Sequence, residues 1–194
     1  MKILIGTNNA HKAQEIRDML PGIEIVRPKD IGLDLDVDEN GKSFEENAMI
    51  KAKAFAEASG MVTLADDSGL EVLSLKGAPG VRSARYAGEE ATDEENNELL
   101  LANMKMQVRR NCRFFCALAM ANPEGKILVE SAGICDGILL HEPHGTNGFG
   151  YDPLFWSTEL HKPLGEATME EKNGISHRAK AIRKLVNQWK KMNR

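Results

Sequence analysis

The side chains with the most capacity for chemistry gather in four short clusters of this 194-residue chain. The first is "GTNNAHK", where the apolar run Ile3-Leu4-Ile5 gives way to a polar turn and then to a helical pattern. If Asn8 or Asn9 caps that helix, its first N–H groups and the positive end of its dipole face the turn. Thr7 and the asparagines add donors, Ala10 and His11 open the helix, and Lys12 brings an ammonium to the first turn, a combination suited to an anion. It is not the Gly-rich phosphate loop, because His11 replaces the second glycine and Ala13 replaces the metal-binding hydroxyl. A capped surface helix with a solvated lysine accounts for the spacing equally well. The second cluster is "LADDSGL". A strand ending at Asp66-Asp67 and turning at Ser68-Gly69 brings two carboxylates together, and their repulsion needs compensation. Mg²⁺ would supply it, since that ion takes one or two carboxylates and completes its shell with water and substrate phosphates. Glu39 is a candidate second ligand. The alternative is an Asx turn in which one aspartate binds backbone.

In "GTNGFGYDP" glycines around Phe149 leave its ring open to a flat ligand, so stacking on a nucleobase is the expected chemistry. A core phenylalanine ahead of a strand is the plainer account. In "EEKNGISHRAK", Lys172, His177 and Arg178 surround a helix start near Ser176, where they can hold a phosphate or the polar edge of a base, unless the charges are simply solvated. His141, His144 and Cys135 do not have the spacing of a zinc site, and His11 and His161 read as surface residues.

These clusters sit where apolar elements hand over to loops. Ile3–Ile5 suits a buried strand, and Ala13, Ile16, Met19 and Leu20 give a helix stopped by Pro21-Gly22. "IEIV" returns to strand, and "LDLDVDEN" is extended with three aspartates on one side and Glu39 on the other. Ser43-Phe44-Glu45-Glu46 is a capping-box signature for an alanine-rich helix closed by Gly60. "MVTLA" is a strand, "KGAPGVRSARYAGEEA" a loop, and Thr92-x-x-Glu95 starts a helix through Met104. "CRFFCALAMA" and "KILVESAGICDGIL" are strands joined by a turn at Asn122-Pro123-Glu124-Gly125, and "PLFW" is a further strand. The tail "SHRAKAIRKLVNQWKKM" is an amphipathic helix whose apolar positions are Ala181, Ile182, Leu185, Val186 and Trp189. Strand–helix units followed by hairpins indicate an α/β fold with a mixed sheet.

Composition narrows the class. With 42% apolar and 28% charged residues the chain reads as an ordinary soluble globular protein, and its net charge of −4 argues against a nucleic-acid partner. The 3 cysteines, Cys112, Cys116 and Cys135, lack C-x-x-C spacing and read as reduced core residues of a cytoplasmic protein. "MKILIG" reads as a first strand and not as a signal peptide, and no apolar run is long enough to span a membrane.

Taken in order, T-N-N-x-x-K, Glu39 before "GKSFEENA", "LADDSGL", "GAPGVRSARYAG", "GTNGFGYDPLF" and "EEKNGISHRAKA" resemble the inosine triphosphate pyrophosphatases, or XTP/dITP diphosphatases, over essentially the whole chain. The resemblance implies one pyrophosphatase domain over residues 1–194, an elongated mixed β-sheet with flanking helices, and two lobes around a central active-site cleft. It implies a homodimer and Mg²⁺-dependent hydrolysis of ITP, dITP and XTP to monophosphate and pyrophosphate, which clears deaminated purines from the nucleotide pool. By the same resemblance, Thr7, Asn8, Asn9, Ala10, His11 and Lys12 hold the triphosphate, and Glu39 and Asp67 lie near Mg²⁺. Asp67 matches the proton acceptor and Ser68 a substrate contact. Phe149, Gly150, Tyr151, Asp152, Lys172, His177 and Arg178 match nucleoside-binding residues. Chemically, Lys12 can stabilise charge on the leaving oxygens and a carboxylate can act as base toward water attacking the α-phosphorus. Asp67 is the first choice for that base, with Asp66 as a metal or water-orienting group; sequence leaves their roles exchangeable. Donors such as His177 or Arg178 would pair with the C6 carbonyl of hypoxanthine and be left unpaired against adenine. Rival readings are a pyrophosphatase for modified pyrimidines or methylated nucleotides and, through the basic tail, a nucleic-acid-binding module.

Overall fold

Ile3, Leu4 and Ile5 have no exposed surface, and as β1 (Lys2–Ile5) they pair in parallel with β2 (Glu24–Val26) on one side and β3 (Thr63–Val72) on the other. A strand covered on both faces needs no polar alternation, which is why this run is apolar throughout. The computed structural model describes residues 2–192. The remaining strands are β4 (Asn111–Ala121), β5 (Ile127–Leu139), β6 (Phe155–Ser157) and β7 (Lys162–Pro163). The sheet order is β2-β1-β3-β4-β5-β6-β7, and the β5–β6 and β6–β7 pairs are antiparallel. The sheet is therefore mixed, as expected.

The helices are α1 (Ala10–Met19), α2 (Phe44–Ser59), α3 (Asp93–Asn103), α4 (Met169–Ile175) and α5 (His177–Met192). At α2 the Ser43 hydroxyl accepts from Glu46 N at 3.2 Å, while the Glu46 carboxylate accepts from Lys42 N at 2.7 Å and not from Ser43. The capping box is thus displaced by one residue, and Gly60 closes the helix at φ 66 as the sequence indicated. Asn122 to Gly125 makes the turn between β4 and β5, with Gly125 N donating to Asn122 O at 2.9 Å.

The chain divides into two compact units, one of residues 1–67, 116–133 and 178–194 and one of residues 68–115 and 134–177. The first has a core of Ile3, Ile5, Ile16, Leu64, Leu118 and Ile182 among others, against which Val186 and Trp189 of α5 pack. The second is built around Leu70, Leu100, Phe114, Leu139, Tyr151 and Phe155.

Three local expectations are corrected. β3 does not end at Asp66-Asp67; it runs through Asp66, Asp67, Ser68 and Gly69 to Val72. "DDSG" has turn composition, but Gly69 serves close packing here, since a β-carbon on it would collide with the Ser83 hydroxyl and the Gly80 carbonyl. "PLFW" is only partly strand, because Asp152–Leu154 forms a 3-10 turn and β6 begins at Phe155. Within the expected loop after Lys76, residues Gly80–Arg85 form a 3-10 helix.

Candidate active site

Running through the aspartates, β3 sends successive side chains to opposite faces, so Asp66 and Asp67 meet different partners. Asp66 is completely buried; its Oδ2 accepts from Arg178 Nη2 at 2.9 Å and Nε at 3.2 Å, and its Oδ1 lies 3.5 Å from Lys12 Nζ. Arg178 Nη1 also pairs with the Glu15 carboxylate, and both side chains are buried. Burial alone would raise the Asp66 carboxyl, but Lys12, Arg178 and Lys51 outweigh it and hold the group well below the usual carboxylate range. Burial likewise disfavours charge on Arg178, and Asp66 and Glu15 keep it charged.

Asp67 belongs to a second arrangement. Its Oδ2 accepts from Asn47 Nδ2 at 3.1 Å and its Oδ1 from Lys51 Nζ at 3.2 Å, while Lys51 Nζ lies 3.0 Å from Glu39 Oε2. Asn47 is fixed from its other end, since its Oδ1 accepts from Gly41 N at 2.8 Å. Burial raises the Asp67 carboxyl above its ordinary value and Glu39 adds to the rise, against the opposing pull of Lys51, Lys12 and Asn47. Lys51 is nearly buried, yet Asp67, Glu39 and Asp66 outweigh that desolvation and raise its ammonium.

Local structure explains how these groups arrive. Asn9 is the N-cap of α1, its Oδ1 accepting from Lys12 N at 3.0 Å, and Thr7 Oγ1 accepts from Asn9 N at 3.1 Å. Lys12 and Glu15, three apart on α1, then share one side of the helix. Residues 33–40 are extended without strand pairing; Leu33, Leu35, Val37 and Glu39 are half-buried and the aspartates between them exposed, which is the alternation expected. Asn8, Ala10 and His11 are exposed.

In the second unit the structure brings together Phe149, Asp152 and Lys172. Asp152 Oδ2 accepts from Phe149 N at 2.9 Å and from Lys172 Nζ at 2.5 Å, and that ammonium lies 4.7 Å from the Phe149 ring centroid. Lys172 is thus a buried, paired cation and not a solvated one. His177 stacks on Phe114, with centroids 4.8 Å apart and planes at 13°. Tyr151 is buried and donates its hydroxyl to Ser83 O at 2.8 Å, and burial pushes its phenol up. Ser68 is half-buried on β3, and Gly150 has a left-handed backbone at φ 61. Arg178 pairs with Asp66 and Glu15 within the first unit.

Sequence reading missed Glu15, Asn47 and Lys51. A signal existed for the last two. The buried face of α2 comprises Phe44, Asn47, Ala48, Lys51, Ala52, Phe55 and Ala56, so an amide and a lysine occupy positions that the apolar spacing marks as interior.

Among the described residues no group of three or more His, Cys, Asp or Glu side chains is arranged to hold a metal ion. Glu39 and Asp67 nevertheless converge on one cation, the Lys51 ammonium. Two carboxylates facing one cationic position form an oxygen-donor pair of the kind Mg²⁺ takes when phosphates and water fill its other sites.

Comparison with known proteins agrees over the full length. The Ham1 family model matches residues 3–188. A dITP/XTP pyrophosphatase from an Exiguobacterium species is 47% identical over 187 residues, covering 95% of each chain. One from Thermoanaerobacter pseudethanolicus is 46% identical over 191 residues, covering 96% of each. The solved structure of the Staphylococcus aureus Ham1 protein covers 100% of both chains at 37% identity with a TM-score of 0.87. A HAM1 protein from Coxiella burnetii superposes with a TM-score of 0.88 at 35% identity, covering 98% of this chain and 99% of its own.

Proposed function

The chain belongs to the Ham1 family, and from that premise we propose that it hydrolyses the deaminated purine nucleoside triphosphates ITP, dITP and XTP to monophosphate and pyrophosphate. The observation that carries the reading is the set of charged groups on and around β3: two carboxylates converging on one cation at Glu39 and Asp67, beside a lysine and an arginine on Asp66. Such a set suits a polyphosphate bound with a divalent ion. In this reading Thr7 to Lys12 take the triphosphate, with Lys12 answering the charge that grows on the departing pyrophosphate. Glu39 and Asp67 would hold Mg²⁺, which when bound neutralises phosphate charge and orients water.

Asp67 is the base in this account. Asp66 is committed to Arg178 and Lys12 and stays ionised, whereas Asp67 faces Asn47, Lys51 and Glu39 and its carboxyl is raised above the ordinary value by burial. Phe149, backed by Lys172 and Asp152, provides the surface on which the purine stacks. Donors at His177 would meet the C6 carbonyl and go unpaired against adenine. In this reading residues 1–194 form a single catalytic domain. In this reading the enzyme works as a homodimer in the cytoplasm and removes its substrates before polymerases use them. No helix among the described residues is long and apolar enough to cross a membrane.

A substrate panel tests the proposal. ITP and XTP with Mg²⁺ should give monophosphate and pyrophosphate far faster than ATP or GTP. Equal turnover of all four, or preference for a modified pyrimidine, would overturn it.

A further inference from the structure

Helix α3 has an unusual inner face. Its buried residues are Asn96, Asn97 and Leu100, so two amides occupy positions where a helix ordinarily buries hydrocarbon, although asparagine is a weak helix former. Asn96 holds the preceding segment: its Oδ1 accepts from Ala87 N at 2.8 Å and its Nδ2 donates to Ala84 O at 3.1 Å. Asn97 reaches farther along the chain and donates Nδ2 to Gly150 O at 3.1 Å. One turn earlier on the same helix, Asp93 Oδ2 accepts from Gly150 N at 2.6 Å. The peptide groups on both sides of the Gly150 α-carbon are therefore gripped by a single helix.

The Asn97 Oδ1 strengthens the case. It is buried without a hydrogen-bond partner among the described residues, a cost that proteins rarely tolerate without reason. Exchanging the two ends of the amide would set its oxygen against the Gly150 carbonyl and lose the bond, so the side chain is committed to Gly150. The neighbour so fixed is Phe149, which lies between Gly148 at φ 80 and Gly150 at φ 61. Glycines on both sides give that ring a backbone with much freedom to lose on binding.

We propose that Asp93 and Asn97 are positioning residues that set the Phe149 ring for the purine. The inference rests on the reading of Phe149 as the base-stacking residue. Prepaid order in the loop would appear as affinity and not as a faster chemical step.

Steady-state kinetics with ITP on Asp93→Ala, Asn97→Ala and Phe149→Ala, with the double variants of each α3 change and Phe149→Ala, tests this. Each α3 variant should raise KM about tenfold, with kcat within about twofold of the parent. Asp93→Asn, which keeps an oxygen for Gly150 N, should recover most of the loss. In the Phe149→Ala background the α3 changes should add little, because they act through the ring. If Phe149→Ala raises KM while the α3 variants leave it unchanged, the positioning role falls and the stacking reading survives. If the α3 changes multiply KM equally with and without Phe149, their role is structural and the proposal is wrong. If Phe149→Ala itself leaves KM unchanged, both readings fall. Thermal midpoints verify folding, and Asn97→Ala alone carries the test should Asp93→Ala not fold.

Discussion

Replacing Arg178 with methionine probes the buried charge group most directly. Arg178 and Glu15 are each 1% exposed and Asp66 0%, so the change leaves two carboxylates in the interior with part of Lys12 for compensation. Removing one partner of a buried ion pair costs about 3–5 kcal/mol, because the other charge stays desolvated. In a chain of this size each kcal/mol moves the thermal midpoint by about 2–4 °C, so the midpoint should drop by about 6–20 °C. The effect has a pH signature. In the parent the Asp66 carboxyl is depressed on folding; its contribution is present above the unfolded value near about pH 4 and is lost as pH falls through the lower folded value. In the variant burial dominates and raises the carboxyls, so the penalty is absent below about pH 4 and grows as pH rises through the raised values. The stability gap between parent and variant should therefore narrow from about pH 8 to about pH 5. Urea unfolding followed by circular dichroism, with EDTA present, measures it. Adding Glu15→Gln to the variant should return part of the loss. A loss below about 1 kcal/mol, or a gap constant across that pH range, would refute the reasoning.

Three further outcomes are expected. Asp67→Asn should lower kcat by about 10²-fold or more, within the usual worth of a general base, with circular dichroism showing the fold retained; near-normal turnover would remove Asp67 as the base. Lys51→Met should destabilise the protein by leaving Asp67 and Glu39 without their shared ammonium, and adding Asp67→Asn should restore stability; a double variant no more stable than Lys51→Met would contradict the pairing. Cys112, Cys116 and Cys135 are buried and in no disulfide, and burial pushes the Cys112 thiol up to about 12, so a disulfide reagent should find no fast thiol in the native protein and 3 after denaturation.

Much of this molecule was legible because its elements obey local rules. The apolar run of β1, an asparagine cap on α1 (Asn8 or Asn9 by sequence, Asn9 in the structure), the Gly60 stop and the α5 stripe through Trp189 follow from backbone hydrogen bonding and periodicity. The path of β3 was not legible, because "DDSG" has the local composition of a turn. What keeps it extended is non-local: Arg178 on Asp66, Lys51 on Asp67 and Ser83 against Gly69. The same holds for Glu15, whose only sequence signal was its spacing from Lys12. Its partner lies 163 residues away in the chain. Sequence identified the Phe149 loop, yet Asp93 and Asn97, which grip it, lie on α3, whose local pattern signals only a capping box. Charged and amide residues at core-facing positions of α2 and α3 were the clues available.

The central claim is attack of water on the α-phosphorus with pyrophosphate leaving intact. Hydrolysis of ITP in ¹⁸O-labelled water, with both products analysed by mass spectrometry, tests it most directly. The label should appear in the monophosphate, with pyrophosphate unlabelled. Label in pyrophosphate would mean attack at the β-phosphorus, and labelled orthophosphate with a diphosphate product would mean attack at the γ-phosphorus. Either result would contradict the account.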